Sequence, residues 1–94
     1  MLESYGKIVG FIIFHIEIWN AGNVGFIDEL VIDKKFQGKG YGKILMNFAE
    51  KYTKKRRAKS YGLWTNRRSK AFKIYEKLGY NELKETVFMV KKAK

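Results

Sequence analysis

Apolar residues fill both alternations of the chain from Lys7 to Trp19: Ile8, Ile12, Phe14, Ile16 and Ile18 on one, Val9, Phe11, Ile13, His15 and Trp19 on the other. A run this continuous predicts a strand buried on both faces for most of its length. Asn20, Ala21, Gly22 and Asn23 interrupt it with the polar, glycine-containing composition that a turn with positive φ requires. A second β-rich run follows from Val24 to Asp33, so the two predict an antiparallel hairpin.

Beyond Asp33 the period changes. Tyr41, Ile44, Leu45, Phe48, Ala49 and Tyr52 recur at helical spacing, and the helix ends in Lys54, Lys55, Arg56, Arg57 and Lys59, cations that oppose the negative end of the dipole. Tyr61 to Thr65 predicts a short third strand. A second helix is expected from about Ser69 to Leu78, with Ala71, Phe72, Ile74, Tyr75 and Leu78 on its apolar face and Gly79 as a left-handed cap. Thr86 to Val90 predicts a last strand, followed by a basic tail of Lys91, Lys92, Ala93 and Lys94. No repeat or linker divides the chain, so residues 1–94 form one expected domain. Its class is α/β, with a mixed, mostly antiparallel sheet and a parallel, right-handed strand-helix-strand crossover.

Composition narrows the chemistry. With 94 residues, 46% of them apolar, there is material for one core. Twenty Lys and Arg against nine Asp and Glu leave a net charge of +11, which calls for an anionic partner, phosphate first of all. Cysteine is absent and His15 is the single histidine, so thiolate metal sites, disulfides, cysteine nucleophiles and multi-histidine cages are excluded, and no metal is expected. No apolar run approaches the roughly 20 residues that span a bilayer, and Met1 to Lys7 lack a secretory pattern. A cytoplasmic protein without membrane association is the expectation.

Asp33 to Gly42 sets glycines at positions 38, 40 and 42 just ahead of a helix, where unpaired N–H groups and the positive dipole end attract anions. The spacing fits neither the dinucleotide fingerprint nor a nucleotide-triphosphate P-loop. Gln37-Gly38-Lys39-Gly40-Tyr41-Gly42, following the strand end Leu30-Val31-Ile32-Asp33, resembles the acyl-CoA signature of the GCN5-related N-acetyltransferases (GNAT). Downstream, Ala71, Ile74, Tyr75, Glu76, Lys77, Leu78, Gly79 and Tyr80 resemble that family's Ala-x-x-Leu-Tyr-Glu-Lys-Leu-Gly-Phe helix. The likeness runs from Gly6 to about Val90 and lacks the family's opening strand and the two helices after it, which form one wall of the acceptor site.

This resemblance implies acetyl transfer from acetyl-CoA to a primary amine. Gln37, Gly38, Lys39, Gly40, Tyr41, Gly42 and Lys43 would hold the diphosphate, and peptide groups of Leu30, Val31 and Ile32 the pantetheine and thioester. Ala71 and Asn66 would complete the cofactor contacts, with helix capping by Asn66 or Ser69 as the alternative for Asn66. Tyr75 would protonate the departing sulfur, unless it is simply a core tyrosine, and Glu29 would draw the proton from the amine, with Asp28 in reserve. Strand alternation sends Asp28 and Glu29 to opposite faces. His15 is expected to be a packed, neutral ring, and Trp19 and Trp64 to be core residues. The missing wall and the apolar first strand imply a homodimer that borrows surface from its partner. Two alternatives stand beside this reading: a small basic nucleic-acid-binding protein using the Lys54 to Lys59 run with Tyr52 and Tyr61, and a catalytically silent acyl-CoA-binding subunit.

Overall fold

The computed structural model describes residues 2–4 and 7–93, with side chains from Ile8 onward. Gly6, where the family likeness begins, and Lys94 of the expected tail lie outside the described residues. In chain order the elements are β1 (Leu2–Ser4), β2 (Lys7–Trp19), β3 (Gly22–Ile32), a single 3-10 turn (Lys34–Phe36), α1 (Tyr41–Lys55), β4 (Ala58–Leu63) and α2 (Lys70–Lys77). One sheet holds the strands in the order β1-β2-β3-β4, antiparallel except for the parallel β3–β4 pair. The hairpin and the β3-α1-β4 crossover thus form as the sequence predicts. Among the described residues no helix is long and apolar enough to cross a membrane.

The hairpin closes tightly because Gly22, paired with Trp19, adopts φ +131°, a conformation that side chains resist. Both helices cover the same face of the sheet. Met46 and Ala49 of α1 bury themselves against Ile27, and Ile12, Phe14, Leu30, Leu63, Tyr75, Leu78 and Tyr80 pack around them. Phe14 meets Phe48 and Tyr52 edge-on at 6.2 and 5.4 Å between ring centroids. Gly25 lets α1 approach β3 closely: a Cβ there would stand 2.3 Å from the Thr53 hydroxyl oxygen. Buried Thr53 donates that hydroxyl to the Ala49 carbonyl at 2.9 Å, so it stays satisfied within its own helix.

The other face of the sheet has no helix on it, and here the structure departs from the alternation argument. Ile13 on this face is exposed, and so, towards the two ends of β2, are Ile8 and Ile18 on the helix side, Ile18 to 87%, so β2 is not buried on both faces. Trp19 and Trp64 are half or more exposed and are not core residues. Thr86 to Val90 does not form the expected last strand: the segment follows no regular structure, with Phe88 against Trp64 at 5.3 Å and Val87, Met89 and Val90 exposed. A short β-prone segment becomes a strand only when it finds a ladder partner, and this one has none among the described residues. Two further differences concern boundaries. β1 carries no recognisable pattern in its three residues. β4 starts at Ala58, inside the basic run, because Arg57 turns the chain at φ +72° directly after α1.

Candidate active site

The parallel pairing of β3 with β4 ends at Ile27↔Leu63, while β3 runs on to Ile32 paired only with β2. The two strands therefore part, and the β4 side of Leu30, Val31 and Ile32 is released from the ladder. A bulge sits at the same point: Ile13 pairs Glu29 and Phe14 pairs Ile27, leaving Asp28 as the extra residue. Before it, Gly25 and Ile27 face the helices; after it, Leu30 and Ile32 do. Asp28 and Glu29 consequently share the helix-free face, which corrects the expectation that they oppose each other. An inserted residue shifts the two-residue period by one.

From Ile32 the chain turns through a loop that is held by its own polar groups. Asp33 Oδ1 accepts from the Lys35 N–H at 3.0 Å, and the Gln37 side-chain amide donates to the Ile32 carbonyl at 3.1 Å. Gln37 is thereby spent on closing the loop. Gly38 and Gly40 adopt φ +78° and +85°, and a Cβ on either would meet nothing within 4 Å. The turn is open to solvent and lined with main chain. The Gly40 carbonyl accepts the first bond of α1, from the Ile44 N–H at 3.2 Å. The N–H groups of Tyr41, Gly42 and Lys43 precede that bond and have no carbonyl one turn back to serve them. Gly42 lies over β3, its Cβ position 3.8 Å from Leu30 Cδ2. Lys34, Lys35, Lys39 and Lys43 flank the turn in sequence and are all exposed, with Lys39 Nζ 5.9 Å above the Phe36 ring. Free amides, a dipole end and nearby cations are features that attract anions.

Tyr75 is set by α2. Ser69 caps that helix, accepting from the Phe72 N–H at 3.3 Å, whereas Asn66 Oδ1 accepts from the Arg68 N–H at 2.8 Å and shapes the turn before it. Ser69, not Asn66, is thus the N-cap. Ala71 lies half-buried in the first turn. One turn on, the Tyr75 ring packs on the Ile27, Met46 and Ala49 cluster, 6.1 Å from the Tyr80 ring. Burial pushes its phenol above the ordinary value of 10, which keeps the proton on it across the physiological range. Tyr75 lines an open cleft of about 1140 Å³ with Leu63, Trp64, Phe72, Trp19 and Glu17 among its walls. Residues 37–43 lie outside this lining, so the turn at Gly40 and the cleft are separate parts of the surface.

Sequence reasoning missed His15. Its side chain is 43% exposed, with Nδ1 2.5 Å from Asp28 Oδ2 and Nε2 2.9 Å from Glu17 Oε2. These hydrogen bonds, Asp28's first and Glu17's second, hold its pKa above 6.5. The Trp19 indole N–H donates to the other Glu17 oxygen at 2.8 Å and, with His15, lowers the Glu17 pKa. His15 is therefore not a packed core ring. The signal was present in the alternation His15-x-Glu17-x-Trp19, which sets three polar-tipped side chains on one face of a strand.

Three comparisons bear on the fold and site. The family profile described as "Acetyltransferase (GNAT) family" matches residues 1–80. An uncharacterized N-acetyltransferase of Methanocaldococcus jannaschii is 38% identical over 92 residues, covering 90% of this chain and 39% of the relative. The chain thus spans about two fifths of the curated relative it matches. The aminoglycoside N-acetyltransferase AAC(6')-Iy, solved with CoA, superposes with a TM-score of 0.86 at 17% identity, over 98% of this chain and 73% of that one. A ribosomal-protein-alanine N-acetyltransferase from Brucella melitensis biovar Abortus 2308 gives 0.81 at 20% identity, over 96% and 67%.

Proposed function

The chain belongs to the GNAT acetyltransferase family, and from that premise we propose that it transfers the acetyl group of acetyl-CoA directly to a primary amine. The observation that carries this reading is the open turn at Gly40, where unserved amides and a helix dipole meet in a stretch bearing four exposed lysines, beside a strand freed of its neighbour.

In this reading the diphosphate of CoA sits on the N–H groups around Gly40, Tyr41, Gly42 and Lys43, with Lys39 and Lys43 adding charge. Gly38 and Gln37 shape the turn. Pantetheine follows the free side of Leu30, Val31 and Ile32, and a released N–H there polarises the thioester carbonyl. The amine nitrogen attacks that carbonyl, and Tyr75, whose burial keeps it protonated, delivers a proton to the departing sulfur. The proton leaving the amine goes to the helix-free face, where Asp28 and Glu29 lie. Two structural neighbours are named for aminoglycoside and ribosomal-protein-alanine acceptors, both of which present amines. A small-molecule or protein amine is accordingly the acceptor class.

The test is release of free thiol from acetyl-CoA in the presence of an amine panel. Tyr75→Phe should slow release by roughly 100-fold while acetyl-CoA affinity stays within a factor of two or so. Equal rates for the two proteins would remove Tyr75 from the chemistry, and saturable binding without release under any acceptor would favour the silent acyl-CoA-binding alternative. The exposed apolar residues of β2 also support a homodimer, which sedimentation at micromolar concentration would reveal as a species of twice the chain mass.

A further inference from the structure

The helix-free face carries a connected polar group, of which the scheme above uses only Asp28. Asp28, the bulge residue, lies one position past the last β3–β4 pair, so its bond to His15 stands at the parting of the strands. Tyr75 approaches that parting from the helix side. Glu17 and Trp19 line the same cleft as Tyr75, and the His15 ring rests on Phe26, another lining residue, at 5.4 Å. Glu17 on its own strand and Asp28 on β3 are the charged groups that face the ring.

Acetylating an amine requires a proton to leave nitrogen and a proton to reach sulfur, on different sides of the reacting carbon. We infer that His15, oriented by Asp28, takes the proton that an incoming ammonium group must lose, while Glu17 holds that ammonium. This inference rests on the acetyl-transfer reading. Asp28 accepts from the Nδ1–H, which fixes the tautomer with its lone pair on Nε2. In the imidazolium the Nε2–H donates to Glu17 Oε2 at 2.9 Å; once the ring is neutral, the Nε2 lone pair and that carboxylate lie side by side, and an entering ammonium N–H is shared between them. One ammonium proton passes to Nε2. The neutral nitrogen then forms its bond to the carbonyl carbon, and the C–S bond breaks as the adduct collapses. Sulfur takes the Tyr75 proton, the nitrogen's second proton replaces it on Tyr75 through solvent, and His15 returns its own to water. One proton in all reaches bulk solvent, and Asp28 and His15 end as they began.

The experiment compares His15→Gln with Glu29→Gln at saturating acetyl-CoA. Wild-type kcat/KM for the amine should rise with pH through a midpoint above 6.5, the direction in which the two carboxylates move His15. His15→Gln should lose that limb and fall roughly 100-fold at neutral pH with acetyl-CoA affinity unchanged, while Glu29→Gln keeps the limb. A limb that survives His15→Gln, or vanishes in Glu29→Gln, overturns the assignment. A second readout needs no turnover. As the single histidine, His15 has unique imidazole NMR signals, and spermidine, used as the amine probe, should lower its titration midpoint. An unmoved midpoint across the spermidine titration overturns the inference as well. Absent acetyl-CoA binding would instead sink the acetyl-transfer reading, and the spermidine titration would still decide the amine site.

Discussion

Replacing Gly40 by Asp and by Asn separates what the phosphate cradle owes to charge from what it owes to shape. Gly40 holds φ +85° with open space where a Cβ would go, so either side chain is accommodated without a clash. Both carry the same cost for a side chain in the left-handed region, about 1 kcal/mol, at the low end because Asn and Asp enter it most readily. For a domain of this size that lowers the melting temperature by about 4–8 °C, nearly equally for the two variants. Binding should part them. A carboxylate about 5 Å from a diphosphate of about two charges, at an effective dielectric of about 40, costs about 3 kcal/mol. Asp should therefore bind acetyl-CoA roughly 100-fold more weakly than Asn, as read by titration calorimetry. In 1 M salt, where the screening length falls to about 3 Å, the gap should shrink severalfold. Folded Asp and Asn variants of equal affinity would refute the reasoning, since no phosphate would then face this turn.

Gly25→Ala should be strongly destabilising, by about 1–3 kcal/mol in denaturant unfolding, because the new methyl collides with buried Thr53 on a helix that cannot withdraw without opening the core. Gly42→Ala should do the reverse and stabilise by about 0.5–1 kcal/mol, since its Cβ meets Leu30 at an ordinary 3.8 Å and alanine suits a helix. His15 makes stability pH-dependent in a defined direction. Its pKa is raised in the fold, so its contribution is complete below 6.5 and fades as pH climbs through the folded value. The melting temperature should accordingly decline with rising pH on that side of 6.5, and His15→Gln should flatten the slope; a slope unchanged in the variant would show that other groups produce it.

Much of this fold is written locally. Strand β2 was legible to the residue from its unbroken apolar run, and α1 and α2 to within a few from their helical period and their bounding glycine, serine or basic ends. The glycine turn before α1 was legible too, since Gly38 and Gly40 sit in the left-handed region that glycine adopts freely. What escaped depends on partners distant in the chain. Asp28 and Glu29 look like neighbours on opposite faces until Ile13 and Phe14 pair around the bulge. His15 reads as a core residue until its strand face is found to lack a helix and to hold Asp28. Thr86 to Val90 has strand composition, yet composition supplies no ladder partner.

The account's central claim is that the main chain at the start of α1 grips a diphosphate, and backbone amide NMR tests it most directly. On titration with CoA, the amide signals of Gly40, Tyr41, Gly42 and Lys43 should move together along one saturating curve, and pantetheine, which lacks the diphosphate, should leave them in place. If CoA saturates the protein while those four amides stay still, or if pantetheine moves them equally, the diphosphate is held elsewhere and the assignment of the cradle is wrong.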